Sequence, residues 1–151
     1  MPSQHNRKGR SQKGPPFAQL PHWMLDSPAY GSLTPAARAV HVTLIRRYSG
    51  FNNGTIALSA RDAARLCKIN KDTAGRSFKE LIEEGFIEAV TPGGFSRKDP
   101  HATEWRLTHQ RCDKTGELPS KAFMRRRDEK QNAVPKQGQL GPKPRPEQSP
   151  E

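Results

Sequence analysis

The sequence predicts an α+β fold, mainly helical, with a small antiparallel sheet and a protruding hairpin. Three observations carry that expectation. Apolar residues recur at helical spacing in two runs, from Leu33 to Tyr48 and from Ala74 to Ile82. After Gly85 the period changes to two, in "FIEAVT" and again in "ATEWRLT". Between those strands lies "PGGFSRKDPH", a polar loop with two glycines and two prolines.

The elements follow in order. Residues 1–16, "MPSQHNRKGRSQKGPP", carry Arg7, Lys8, Arg10 and Lys13 and no acid, without periodicity, and are expected to be a flexible basic arm. "FAQLPHWMLDSPAYGSL" supplies Phe17, Leu20, Trp23, Met24, Leu25 and Tyr30, as a short helix or turn packed over the core. Thr34 suits a helix N-cap and Pro35 the first helical position. Leu33, Ala37, Val40, Leu44 and Tyr48 then form the buried face, and Gly50 ends the helix. Val42 and Ile45 fall off that stripe; they offer a second surface, for a homodimer or for the N-terminal segment.

Asn53-Gly54 reads as a turn and Thr55–Ala57 as a short strand. Ser59 caps a second helix, with Asp62 three residues on as in a capping box. Ala63, Ala64, Leu66 and Cys67 supply its apolar side. A tight turn leads to Asn70, the cap of a third helix over residues 70–84 whose inward face is Ala74, Phe78, Leu81 and Ile82. In the last strand Thr103, Trp105 and Leu107 alternate with Glu104 and Arg106.

Composition bounds the rest. Only 32% of the 151 residues are hydrophobic, so much of the chain is expected outside any core. Residues 17–110 are expected to fold, 111–130 to form a basic C-terminal extension, and the Pro-, Gly- and Gln-rich 131–151 to remain a flexible tail. In the extension, "SKAFMRRRDEK" has two readings: Arg125, Arg126 and Arg127 grip phosphates, or the segment is a solvated tail with Phe123 docked on the domain. The net charge of +11 and pI near 10.2 point to a polyanionic partner, most commonly nucleic acid. Cys67 and Cys112 form no disulfide framework, and Cys67 is expected as a buried free thiol. No apolar run is long enough for a membrane, and the N-terminus lacks a signal-peptide core. The expected location is the cytoplasm, at the nucleoid.

A helix pair followed by a hairpin with a basic tip is the winged helix-turn-helix plan. In that plan the N-terminal half of the second helix enters the major groove of double-stranded DNA. Here that half presents Lys71, Asp72, Thr73 and Arg76, then Lys79, behind the cap Asn70 and beside the cap Ser59. Arginine can bond bidentately to guanine, and threonine can meet a base edge or a thymine methyl. The acids Glu80, Glu83 and Glu84 fall in the other half, against the preference of the helix dipole, as a functional face would require. Gly75 costs about 1 kcal/mol relative to alanine inside a helix. It either admits the preceding helix or a DNA backbone, or avoids a clash in the tight turn. Residues 92–101 form the wing, where Arg97 and Lys98 suit phosphates beside Ser96; Phe95 meets sugar or a base step, or folds back on the hairpin.

The run "LTPAARAVHVTLIRRYSGFNNGTIALSARDAARLCKINKDTAGRSFKELIEEGFIEAV" resembles a bacterial winged-helix group of prophages, plasmids and integrative elements. The resemblance rests on "LTPAAR", "NNGTIALSARDAA", "KDTAGRSFKELIEEGFI" and "ATEWRLT", and covers about residues 17–125. It implies DNA binding through positions 70–79 and the wing. The group includes replication proteins and small regulators. Its replication proteins usually carry a further initiator or partner-binding region where this chain has only a basic tail, which favours a transcriptional regulator.

Two other readings remain: a replication accessory protein binding an origin with a replication or transcription protein partner, and a winged-helix adaptor that docks on protein, supported by the acids Glu80, Glu83, Glu84 and Glu88. No enzyme motif is present: no phosphate loop, no HExxH pair, no carboxylate pair, and no tyrosine outside presumed core segments. His101, His109, Cys112 and Asp113 match no standard zinc spacing, so no metal and no cofactor are expected.

Overall fold

The computed structural model describes residues 16–95 and 100–125. Two short helices, α1 (His22–Leu25) and α2 (Pro28–Ser32), precede the long α3 (Pro35–Arg47). Thr34 caps α3, its hydroxyl accepting from the Ala37 N–H at 3.2 Å, and Pro35 takes the first helical position. Strand β1 (Ile56–Ala57) leads to α4 (Ala60–Cys67) and, after three residues, to α5 (Lys71–Glu83). Lys68 ends α4 in the left-handed conformation, φ 56°. Gly85, φ 80°, turns the chain from α5 into β2 (Ile87–Thr91). Strands β3 (Gly94–Phe95) and β4 (Pro100–His101) precede β5 (Glu104–Leu107), and a 3₁₀ turn spans Ala122–Arg125.

The fold is thus α+β, with five α-helices among the described residues and a three-stranded antiparallel sheet in the order β1-β5-β2. β3 and β4 form a separate antiparallel pair, Gly94 opposite His101 and Phe95 opposite Pro100. Part of the polar loop between those strands is therefore paired backbone. The remainder of that loop, 96–99, lies outside the described residues, as do 1–15 and 126–151.

The core lies where α3, α4 and α5 meet the sheet. Phe78 of α5 stacks on Trp105 of β5, ring centroids 4.7 Å apart, and the Trp105 indole N–H donates to the Leu58 carbonyl at 2.9 Å. Trp105 and Leu107 are buried while Glu104 and Arg106 are partly exposed, the alternation expected of a half-buried strand.

Several expectations need correction. Ile45, placed off the stripe of α3, is buried, because α3 is packed on more than one side; Val42 is the residue left 37% exposed. Leu66 and Ile82, expected inward, are exposed, and so are Phe17 ahead of the first helix and Trp23 within it. Tyr48 caps α3 and is only half-buried, so the helix ends before Gly50. Cys67 is half-buried against the Thr43 hydroxyl at 3.3 Å, and the buried thiol is Cys112; both are free.

The largest difference concerns the C-terminal segment. Residues 111–125 belong to the folded body, so the expected boundary at 110 cuts through it. Of the two readings of that segment, the structure has Phe123 docked: it is buried and stacks on Phe86 at 4.5 Å and on Trp23 at 5.9 Å. Gly85 makes room for this, since a Cβ there would lie 2.8 Å from the Phe123 nitrogen. Beneath, His41 of α3 is fully buried, 5.2 Å from Phe86 and 6.4 Å from His109. Neither ring nitrogen of His41 has a hydrogen-bond partner among the described residues. Burial, with His109 adding to it, pulls the His41 pKa down to about 3; burial, with Lys121 nearby, pulls His109 down to about 4.

Candidate nucleic-acid interface

The outward face of α5 is the most conspicuous charged surface without an internal use. Asn70 starts the helix, its side-chain oxygen accepting from the Thr73 N–H at 2.7 Å. The inward side is Ala74, Ser77, Phe78 and Leu81. At 100° per residue, Asp72, Arg76, Lys79 and Glu83 then point away from the core, and Lys71 lies beside them. All five are exposed. Among the described residues, Lys71, Asp72 and Lys79 make no side-chain hydrogen bond or ion pair, and the Arg76 guanidinium meets only the Thr73 hydroxyl, at 3.3 Å. Asp72 and Arg76 have the spacing of a helical ion pair and do not form one.

A groove of about 610 Å³ runs beside this face. Ser59, Arg61 and Lys71 line one side, and Gly93, His101 and Thr103 of the hairpin line the other. The first turns of α4 and α5 both reach this groove, through Arg61 and Lys71. Arg61 and Lys71 each sit in the first turn of a helix, where the dipole disfavours a cation. Both lie on the groove, so an anion placed there would relieve two unfavourable interactions. Arg61 was not among the residues singled out from the sequence; its basic charge in a first turn was the signal.

The structure sorts the sequence-predicted residues. Asn70, Lys71, Asp72, Thr73, Gly75, Arg76 and Lys79 share one helix and its cap. Ser59 borders the groove, but its hydroxyl is committed to capping α4: it accepts from the Asp62 N–H at 3.1 Å and donates to Oδ2 of Asp62 at 2.9 Å. Phe95 contributes its backbone to β3. Ser96, Arg97 and Lys98 lie outside the described residues.

Gly75 loses both of its internal explanations. Its φ is not among the positive values, and a Cβ built on it meets nothing within 4 Å. It therefore neither admits α4 nor relieves a clash in the turn.

The acids of α5 and β2 also change meaning. Glu80 receives the Thr34 N–H at 2.7 Å and the Thr34 hydroxyl at 2.8 Å. It caps α3 from outside, so its place against the dipole of α5 serves the dipole of α3. Glu88 pairs with Arg106 at 2.6 Å. Two of the four acids thus hold the fold together and are not offered to a protein partner.

Of His101, His109, Cys112 and Asp113, the last two meet at Asn53 and the two histidines lie elsewhere. The His101 ring meets the Pro92 carbonyl on the hairpin at 3.0 Å, His109 lies beside His41, Cys112 rests against the Asn53 carbonyl, and Asp113 accepts from the Asn53 N–H. No helix among the described residues is long and apolar enough to cross a membrane.

Comparison with protein families, curated proteins and solved structures finds no match. The functional reading therefore rests on the residues themselves.

Proposed function

We propose that this chain is a double-stranded DNA-binding protein of winged helix-turn-helix type that acts as a transcriptional regulator. In this reading α4, the turn Lys68–Asn70 and α5 are the helix-turn-helix, and the β3–β4 hairpin with residues 92–101 is the wing. The observation that carries it is the N-terminal part of the outward face of α5, where Lys71, Asp72, Arg76 and Lys79 are exposed with no ion pair among the described residues, next to a groove lined by Arg61 and Lys71. Charged groups held apart in this way keep their hydrogen-bonding capacity for a partner. The mixture of Asp72 with Arg76 suits base edges better than a uniform anion, since a carboxylate can accept from cytosine N4 and arginine donates to guanine. Lys71, Lys79, Arg61 and the basic wing supply phosphate contacts and salt-dependent affinity.

The test is selection of random duplex DNA on the purified protein, followed by salt titration on the winning and a scrambled duplex. A defined motif bound far more tightly than the scramble supports the reading. Arg76→Ala should then cost about 1–3 kcal/mol and relax specificity at one position, whereas Lys98→Ala should weaken every sequence alike and lower the salt slope by about 1. Equal, steeply salt-dependent binding to both duplexes would reduce the charge to an electrostatic grip and remove the regulator. A cluster of repeated sites, in place of one site at a promoter, would turn the reading toward replication.

A further inference from the structure

We propose that Gly75 is a notch in α5 over which one sugar-phosphate strand of the duplex passes, gripped by Lys71 on one side and Lys79 on the other. The inference rests on the DNA-binding reading above and adds to it the place where the backbone crosses the helix.

Outside the helices, Gly54 and Gly85 have a reason within their own chain: both have positive φ, and a Cβ would approach Cys112 Sγ to 2.7 Å at the first and the Phe123 nitrogen to 2.8 Å at the second. Gly75 has neither property, and it is the fifth residue of a 13-residue helix, where alanine would be the better helix former. Gly31 of the short α2 is equally open, so open space alone specifies nothing; what distinguishes Gly75 is the pair of cations that flank it.

The neighbours specify what approaches. Lys71 and Lys79 stand one turn before and one turn after Gly75, on the same ridge of the helix, each about 6 Å along the axis. Both are exposed and without a partner among the described residues. Two ammonium groups flanking a bare stretch of helix are suited to phosphates, because ammonium is a compact point charge that needs no planar, bidentate partner. Lys71 also lines the groove toward the hairpin, so a strand leaving the notch would run between Arg61 and β4. Two exposed acids border this path: Asp72 beside the ridge, and Glu83 one turn beyond Lys79 on the ridge itself. Asp72 and Arg76 lie about 60° and 100° round the helix from Gly75, on the side turned toward the bases.

The experiment compares the full-length protein with Gly75→Ala and Gly75→Leu, reading thermal melting and fluorescence-anisotropy binding to the selected duplex. The expected result is opposite movement: Gly75→Ala melts a few degrees higher yet binds roughly tenfold more weakly, and Gly75→Leu binds more weakly still. Lys71→Ala and Lys79→Ala should each lower the salt slope by about 1, and should do so less in the Gly75→Ala background. A wild-type protein that binds its duplex, with Gly75→Ala binding equally well, overturns the notch and leaves the DNA reading standing. A lower melting temperature for Gly75→Ala overturns it as well, by giving the glycine a role in folding. Failure of the wild-type protein to bind any duplex overturns both.

Discussion

Asn53→Ala should destabilise the fold by about 2–4 kcal/mol, although Asn53 lies in what reads as an ordinary turn. Its side chain is fully buried and joins three segments. Nδ2 donates toward the carbonyls of Leu107 at 3.0 Å, Gln110 at 3.2 Å and Arg111 at 2.9 Å, and Oδ1 accepts from the Leu107 N–H at 2.6 Å. The last of these continues the β1–β5 ladder beyond the Ile56–Trp105 pair. Removing the amide leaves the carbonyl of exposed Arg111 able to rehydrate, whereas Leu107 is wholly buried and its N–H stays orphaned. An orphaned buried donor costs about 1–3 kcal/mol, and the emptied volume adds about 1 kcal/mol. Asn53→Asp should be worse than alanine, because a carboxylate would face three carbonyl oxygens without a donor between them. Urea denaturation measures both, through the midpoint at constant slope. A loss below about 0.5 kcal/mol for alanine, or a milder effect for aspartate, would refute the reasoning.

Three further outcomes are expected. His41 and His109 titrate at about 3 and about 4 in the folded protein, below the unfolded value of 6.5. The unfolded chain therefore binds more protons below pH 6.5, and stability is lost on acidification toward pH 4 by about 1.4 kcal/mol per pH unit per histidine; His41→Leu should flatten that slope in denaturation curves taken at pH 6.5, 5.5 and 4.5. A chain ending at residue 110 should lose its cooperative thermal transition, since it lacks Phe123 over Phe86 and the segment bonded to Asn53. Glu80→Ala should lower stability by about 1 kcal/mol, the usual worth of a helix cap, as a shift in melting temperature without loss of helical signal.

The α+β class, the order of the main helices, their caps at Thr34, Ser59 and Asn70, and the strands at Ile87–Thr91 and Glu104–Leu107 were legible in the sequence. Each is a short-range property: a hydroxyl or amide side chain caps the N–H two or three residues ahead, and periodicity declares which face turns inward. The exposed charged residues of α5 were legible for the same reason, because a helix fixes the angle between neighbours without reference to the rest of the chain; Ile82, expected inward, was not.

What the sequence could not decide depended on contacts between distant segments. The burial of His41 and Ile45 requires knowing that α3 is covered on several sides. The role of Glu80 required the start of α3, 46 residues away. Phe123, in a polar and basic stretch without periodicity, became core only because Gly85 opens a space against Phe86 that no local pattern announces. Gly75 shows the same division at one position. Sequence alone marked it as a costly residue inside a helix, but only the surrounding atoms, by leaving its Cβ position empty, removed every explanation inside the described fold.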